Sequence, residues 1–361
     1  MRRAFLAVPR ERFLPEVAEH EGLARVYQNQ AIVTVKDERG APASSSSQPS
    51  LMASMLEQLD LRAGQRVLEV GAGTGYNAAL LAKLVGARGR VVSVELDPAT
   101  ARGARRALAS VKSGARVVRG DGRDGWPPGA PYDRIIVTAS TPAVPAAWHE
   151  QLVDGGLLEL PLRLARAGEA QVIVTLRKQG DALRSEALLP GGFMPLRDAP
   201  GGPVPPPAPT LSATERINER PRPLAHLSGA ALGRLSAARR QRLLALALSE
   251  PRTHELGIRP GRGALALYLT IEAPEDRLVG GGPRLGVISQ HGDGLALLAG
   301  GAKTLTRIES YGEGDAECLL LRLVEGWKER GRPTWDDLRI EVRFGGGAGS
   351  GVSLGWGLSA A

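Results

Sequence analysis

A glycine-rich turn between a β-rich run and a helical pattern is the feature that most constrains the fold of this chain. The turn, EVGAGTG at 69–75, follows the run RVLEV at 66–70 and precedes a helical pattern at 76–86. Glycines in such a turn let the backbone approach a ligand that side chains would otherwise obstruct. The sequence therefore predicts a strand, a ligand-binding turn and a helix as its first folding unit.

Further β-rich runs and helical patterns alternate through residues 51–165, which is typical of a parallel sheet covered by helices. The predicted strands are 66–70, 90–95, 115–119, 133–138 and 157–161, and the predicted helices are 76–86, 98–110 and 143–152. Two more runs, at 170–177 and 182–189, are predicted to complete the sheet as an antiparallel pair. We expect a Rossmann-like α/β sheet with helices on both faces.

The chain of 361 residues is longer than one typical domain. A proline- and glycine-rich segment at 196–212 is a linker by composition and separates a first domain, 1–195, from a second at 213–345. The second is predicted to be a smaller α+β domain of unknown role, with helices at 229–249 and 313–330 and strands at 264–271, 284–289, 294–298 and 337–343. Residues 346–361 are rich in glycine and serine and are expected to form a flexible tail.

The spacing of the glycines indicates which ligand the turn binds. A dinucleotide site requires glycines at the first, third and sixth positions, to admit a diphosphate. Here Gly71, Gly73 and Gly75 alternate, and the sixth position is Tyr76. S-adenosylmethionine has no phosphate, and its ammonium group favours a nearby carboxylate, which Glu69 can supply. On the turn alone, another doubly wound protein remains an alternative.

Acidic residues at the ends of the next two strands narrow the choice of ligand. Glu95 ends the second strand, where a carboxylate can accept both ribose hydroxyls. Asp121 follows the third strand and can face the adenine amino group, and Gly122 permits close approach. Three such features at the ends of consecutive strands predict S-adenosylmethionine as the cofactor.

Several motifs follow one another in a fixed order along roughly the first 190 residues. They are VPRERFLP at 8–15, SSSQP at 45–49, the glycine turn, GDG at 120–122, PYDRIIVTA at 131–139 and GGLLELP at 155–161. In these motifs the chain resembles the protein-L-isoaspartate O-methyltransferase family. The resemblance implies a carboxyl O-methyltransferase that acts on a peptide or protein bearing an aspartate-type residue.

In that family a Thr-Ile-Ser-Gln-Pro segment lies over the active site and binds the substrate. The resemblance implies that Ser45 and Ser47 are catalytic and that Ser46, Gln48 and Pro49 bind substrate. Ser47 matches the family serine and Ser45 keeps the threonine hydroxyl, whereas Ser46 replaces an apolar residue. Without the flanking motifs, four consecutive serines would indicate a flexible loop.

The chain resembles more closely a subset of the family found in actinobacteria with ribosomal peptide natural products. Members of that subset carry a serine-rich segment and a C-terminal extension, and they methylate an unmodified aspartate in a cyclised peptide. The ester then closes to an aspartimide, which can open to isoaspartate. One alternative is L-isoaspartyl protein repair. Another is RNA methylation, in which the C-terminal domain would bind the nucleic acid.

The expected nucleophile is a carboxylate, which is already ionised near neutral pH and needs no general base. The histidines are scattered, without the paired spacing of a metal site, and no metal is predicted; they are His20, His149, His226, His254 and His291. Catalysis is therefore expected to depend on positioning and on exclusion of water.

The formal charge of +8 and the pI of about 10.0 favour acidic partners, including an acidic precursor peptide. A low aromatic content of 4% offers few base-stacking platforms and disfavours a nucleic-acid partner. The single cysteine, Cys318, lies in an apolar helical run and is expected in a core. One cysteine allows no internal disulfide, and no stretch is long and apolar enough for a membrane span. A cytoplasmic location is expected.

Overall fold

The computed structural model describes residues 1–38, 40, 42–164, 171–197, 209–217, 220–281, 284–301, 304–344 and 350–357. The chain forms two compact units. The first comprises Met1–Leu162, Gln171–Pro206 and Ile340–Ser353, and the second comprises Arg163–Ala170, Pro207–Arg339 and Leu354–Ala361. Most of the predicted linker, 198–208, lies outside the described residues. No helix in the described part of the chain is long and apolar enough to cross a membrane.

The first unit begins with three short helices and a hairpin. Its helices are α1 (Arg2–Ala7), α2 (Pro15–His20), α3 (Leu23–Val26), α4 (Pro49–Gln58), α5 (Tyr76–Val85), α6 (Pro98–Ser110) and α7 (Ala146–Gln151). Its strands are β1 (Ile32–Lys36), β2 (Pro42–Ser46), β3 (Arg66–Val70), β4 (Arg90–Glu95), β5 (Arg116–Arg119), β6 (Tyr132–Val137), β7 (Leu152–Arg163), β8 (Gln171–Gln179) and β9 (Ala182–Pro190). Strands β1 and β2 pair with each other as a separate antiparallel sheet.

The main sheet of the first unit follows the predicted topology. Strands β3, β4, β5, β6 and β7 pair in parallel, and β8 and β9 pair antiparallel. The central strands carry continuous apolar runs because helices cover both of their faces. Asp97 accepts a hydrogen bond from Thr100 N at 2.7 Å and caps α6, which starts at Pro98. The predicted Rossmann-like sheet is confirmed.

The second unit is β-rich. Its helices are α8 (Ala230–Gly233), α9 (Ala237–Ala247), α10 (Arg262–Glu272) and α11 (Ala316–Glu329), and its strands are β10 (Thr210–Ile217), β11 (Arg220–Ser228), β12 (Arg252–Glu255), β13 (Leu278–Gly281), β14 (Arg284–Ile288), β15 (Gly294–Gly300) and β16 (Leu305–Gly312). The seven strands form one sheet in the order β10-β11-β13-β14-β15-β16-β12. Separate apolar clusters include residues of α10 and α11 and residues of α8 and α9.

The predicted strand at 264–271 is wrong, because this segment lies within helix α10. An apolar run of this length is compatible with either structure, and periodicity alone does not separate them. In the fold, Leu265, Tyr268 and Leu269 are buried at helical spacing against the same cluster as α11. Cys318 also differs from expectation, since it is exposed on α11 while Leu319 and Leu320 are buried.

The C-terminal end of the chain differs most from the sequence-based domain assignment. Strand β17 (Leu338–Phe344), expected in the second domain, pairs antiparallel with β9 and extends the main sheet of the first unit. The expected flexible tail contains strand β18 (Ser350–Trp356), which adds the next position in that sheet. Val352, Leu354 and Trp356 alternate with small residues, which is a strand pattern. The remainder of the tail, 346–349 and 358–361, lies outside the described residues.

Candidate active site

The glycine turn adopts the conformation that its sequence predicts. Gly71, Gly73 and Gly75 have φ angles of +96°, +51° and +87°, which favour glycine strongly. A Cβ atom at Gly71 would lie 2.5 Å from the Thr138 hydroxyl oxygen. The three glycines therefore let the backbone turn sharply between β3 and α5, next to the end of β6.

Glu95 ends β4, and its carboxylate is hydrogen-bonded to the backbone of the glycine turn. One carboxylate oxygen accepts a hydrogen bond from Gly73 N at 3.0 Å, and the other accepts one from Asp97 N at 3.1 Å. Burial raises the pKa of Glu95, and these two backbone hydrogen bonds oppose the shift. Each carboxylate oxygen keeps a second lone pair, so the group can still accept ligand hydroxyls.

Glu69 is fully buried at the end of β3. It accepts a hydrogen bond from Asn77 Nδ2 at 2.8 Å and another from the Ser93 hydroxyl. Burial raises the pKa of Glu69 to about 7, against the effect of these two donors. The residue lines the cavity described below, and its contact with the cofactor's ammonium stays a prediction.

Of the neighbouring residues Gly122 and Asp121, the structure places only Gly122 in the lining of the cavity. A Cβ at Gly122 would lie 2.4 Å from Val70 Cγ1, so glycine is required for this close approach, and Gly122 lines the cavity. Asp121 accepts a hydrogen bond from Arg123 N at 2.9 Å and caps the short turn that follows. Among the described residues that line the cavity, Asp121 is absent, and its contact with adenine stays a prediction.

The serine segment, Ser44–Ser47, lies in strand β2 of the hairpin as far as Ser46, and Ser47 follows the strand. Ser44, Ser45, Ser46 and Ser47 all line the cavity, whereas Gln48 and Pro49 do not. Gln48 precedes α4, and Pro49 is its first residue. A Cβ at Gly73 would lie 3.4 Å from the Ser45 carbonyl oxygen, so this segment faces the glycine turn directly.

Arg10 is the main site residue that the sequence analysis missed. Its guanidinium is buried and donates to the carbonyl oxygens of Val26 at 2.9 Å and Ser47 at 3.0 Å, and to the Ser46 hydroxyl at 3.2 Å. It also lies over the Tyr76 ring, 5.8 Å from the centroid. The position of Arg10 within the VPRERFLP motif was the one available signal.

Tyr76 is buried where α5 begins. Its ring packs against Phe13 and Phe5, with centroids 5.4 and 6.3 Å away. Burial raises the pKa of Tyr76 to about 12, so the hydroxyl stays neutral. Tyr76 lines the cavity and connects the glycine turn to the N-terminal segment.

A second wall of the cavity comes from residues 194–197, of which 196 and 197 were predicted to belong to the linker; that part of the linker prediction is wrong. Ser140 tethers this segment, donating from its N–H to the Met194 carbonyl and accepting from Leu196 N, both at 2.8 Å. Arg197 lies at the end of this wall, and its charge offsets part of the rise in the pKa of Glu95 that burial causes.

The cavity fits a cationic, phosphate-free ligand. It contains about 910 Å³ of empty space, part of it open to solvent, which is within the range of small-molecule sites. Among its described lining residues the carboxylates are Glu69 and Glu95, and the one cation is Arg197. A diphosphate would require the opposite balance of charge. The described residues contain no cluster of side chains that could hold a metal ion.

Comparison with known proteins identifies the family. The sequence profile described as protein-L-isoaspartate(D-aspartate) O-methyltransferase (PCMT) matches residues 1–200, more than half of the chain. The chain belongs to this family. Family membership confirms S-adenosylmethionine as the cofactor, and the protein is a methyltransferase of the class I fold.

Relatives in the family include two proteins named protein-L-isoaspartate O-methyltransferase. The protein from Ignicoccus hospitalis is 39% identical over 194 residues, which cover 54% of this chain and 86% of the relative. The protein from Rhodopseudomonas palustris is 39% identical over 198 residues, covering 54% and 74%. A solved structure with the same name is 26% identical, with a TM-score of 0.51, and covers 97% of this chain and 93% of its own. The family profile ends at residue 200 of this chain, whereas the match to the solved structure covers 97% of it. The C-terminal extension is therefore included in the match to a solved relative.

Proposed function

We propose that this methyltransferase esterifies the side-chain carboxylate of an aspartate in a modified ribosomal peptide. The ester then closes to an aspartimide, which can open to isoaspartate. The observation that carries the proposal is the position of the serine segment, because Ser44–Ser47 line the same cavity as the glycine turn and Glu95. A cytoplasmic location is part of the proposal, since ribosomal peptides are made there.

The residues around the cavity suit a reaction controlled by positioning. S-adenosylmethionine held by the glycine turn and Glu95 would supply a methyl group on a sulfonium, and the acceptor carboxylate oxygen would form the new bond as the carbon–sulfur bond breaks. The leaving group needs no proton, and the nucleophile is ionised near neutral pH. The protein therefore has to hold the oxygen in line and exclude water.

Ser45 and Ser47 are two of the serines at the cavity that could do that positioning. Both are partly exposed at the cavity, whereas Ser46 is buried and its hydroxyl accepts from Arg10. We infer that Ser45 and Ser47 donate to the acceptor carboxylate, and that Gln48 and Pro49 set the start of α4 behind them. Because each hydroxyl donates one hydrogen bond, the carboxylate keeps lone pairs for attack.

The substitution at Ser46 supports an acceptor other than the family's usual one. The family has an apolar residue at this position, whereas in this chain the Ser46 hydroxyl accepts a hydrogen bond from the buried guanidinium of Arg10. The segment is therefore anchored by polar contacts that an apolar side chain cannot make. The second candidate is isoaspartyl repair, which the names of the relatives favour.

Mass spectrometry with matched substrates separates the two candidates. The protein and S-adenosylmethionine are incubated with one peptide sequence in three forms: linear aspartyl, linear isoaspartyl and cyclised aspartyl. We expect the cyclised aspartyl form to gain one methyl group and then to lose methanol. Methylation of the isoaspartyl form alone would assign the protein to repair and overturn the aspartate proposal.

A serine substitution tests the role of the segment. Ser47→Ala should lower kcat/KM for the peptide about tenfold, because one hydrogen bond to the acceptor is lost. Ser249→Ala, at an exposed position in the second unit, is the matched control and should leave the rate unchanged. Unchanged methylation by Ser47→Ala would show that this hydroxyl does not position the acceptor.

A further inference from the structure

A long groove continues outward from the cofactor cavity. The two share five lining residues, which are Ala43, Ser44, Gly73, Thr74 and Arg197. The groove runs between the N-terminal segment, strand β1 and helix α6, and it contains about 2550 Å³ of space that includes open solvent. A peptide whose acceptor residue enters the cavity at the serine segment would place its neighbouring residues in this groove.

One wall of the groove presents unusual exposed apolar side chains. Val33 and Val35 are 43% and 42% exposed, and they belong to the few large apolar residues exposed in the described part of the chain. Both line the groove from strand β1, whose pairing with β2 is irregular between them. Exposed apolar side chains beside a polar rim are typical of a surface that binds another chain.

The charge of the groove opposes the charge of the whole protein. Its described lining residues include six carboxylates and four cations, and the carboxylates are Glu11, Glu16, Glu19, Asp37, Glu38 and Asp97. Glu16 and Glu19 lie exposed on α2. The chain carries a formal charge of +8, but a bound peptide interacts mainly with charges within about 10 Å.

We propose that this groove binds the residues flanking the acceptor aspartate and selects flanks that are apolar and basic. The inference rests on the proposed peptide methylation. It reverses the expectation of an acidic precursor peptide that followed from the net charge. Valine-like side chains would pack against Val33 and Val35, and lysine or arginine side chains would lie near Glu16 and Glu19.

Three synthetic peptides with one acceptor and different flanks test the proposal. Their sequences are Lys-Val-X-Gly-Val-Lys, Glu-Val-X-Gly-Val-Glu and Lys-Ser-X-Gly-Ser-Lys, where X is the acceptor aspartate and each peptide is cyclised like the aspartyl substrate above. We expect KM to be about fivefold lower for the first than for each of the others at low ionic strength. High salt should remove the difference between the lysine and glutamate peptides and leave the valine effect.

Charge reversal in the groove provides the matched comparison. The double variant Glu16→Lys and Glu19→Lys should lose the preference for lysine flanks or invert it. The control is Glu57→Lys with Glu150→Lys, which makes the same charge change at exposed helical positions outside the groove and should retain the preference. Calorimetry with S-adenosylmethionine shows that both variants fold, because the cofactor should bind each as it binds the wild type.

The outcomes separate this inference from the proposed function. Equal KM for the three peptides, with normal methylation, would overturn the groove inference and leave the proposed function standing. Loss of the preference in the control variant would also overturn it, because net charge and not the groove would then be responsible. Absence of methylation on every peptide, with normal cofactor binding, would overturn the proposed function and this inference with it.

Discussion

Replacing Arg10 with methionine tests how the serine segment is held in place. Methionine keeps much of the apolar stem but removes the guanidinium. Arg10 Nη1 donates to the Val26 and Gln28 carbonyls, and Nη2 donates to the Ser46 hydroxyl and the Ser47 carbonyl. The change therefore disconnects three separate parts of the first unit: the N-terminal motif, the end of α3 and the serine segment.

The expected loss of stability can be worked out from these contacts. A hydrogen bond from a charged donor contributes about 1.5 to 3 kcal/mol, and the two shortest, to Val26 and Ser47, should dominate. Removing a buried charge recovers part of its desolvation cost. We therefore expect the free energy of unfolding to fall by about 3 kcal/mol in the variant.

Urea unfolding and steady-state kinetics provide the assay. We expect a lower urea midpoint for Arg10→Met and a loss of kcat/KM for the peptide of about tenfold to 100-fold, because the segment no longer holds the acceptor in line. Arg3→Met makes the same change at an exposed position of α1 and is the control. A variant of Arg10 with the urea midpoint and kcat/KM of the control would refute the reasoning.

Three further predictions concern the cofactor site. Gly71→Ala should weaken S-adenosylmethionine binding and destabilise the fold by about 1 to 3 kcal/mol, measured by calorimetry and urea unfolding, because φ is positive and the new Cβ meets Thr138. Glu95→Gln should weaken cofactor binding about tenfold in calorimetry, because its amide nitrogen cannot accept from a backbone N–H. Burial raises the pKa of Glu69 from 4.5 to about 7. Between these pH values the native state keeps a proton on Glu69 that the unfolded state has lost, so the free energy of unfolding falls as pH rises. Relative to Glu69→Gln, the wild type should lose about 3 kcal/mol of unfolding free energy from pH 4 to pH 8 in urea titrations.

Controls and opposing outcomes differ among the three. Gly86→Ala also has a positive φ, of +67°, but its Cβ would meet no atom within 4 Å. Equal losses in Gly71→Ala and Gly86→Ala would mean that the contact with Thr138 is unimportant. Cofactor affinity unaffected by Glu95→Gln would contradict its assigned role, and parallel pH profiles for the wild type and Glu69→Gln would rule out a raised pKa at that site.

The sequence by itself determined the main sheet and the cofactor. Strand β3, the glycine turn and α5 are contiguous, so their geometry follows from local conformational preferences. Because the carboxyl ends of parallel strands meet at one edge, Glu69 and Glu95 were also predicted at the site. The resemblance in the first 190 residues identified the serine segment as part of the site, and the structure places Ser45 and Ser47 in the cavity wall.

Only the tertiary structure decided which distant segments meet. Arg10 binds Ser46 across 36 residues, and residues 194–197 line the same cavity as the serine segment, although neither feature has a characteristic spacing. Helix α10 is a similar case, because its apolar run is also compatible with a strand, and only its packing partners decide between the two. Strand β17 is another, because it pairs with β9, which is distant in sequence. The acidic character of the groove is a further case. Net charge is a sum over all residues, whereas a site is formed by the few side chains that the fold brings together.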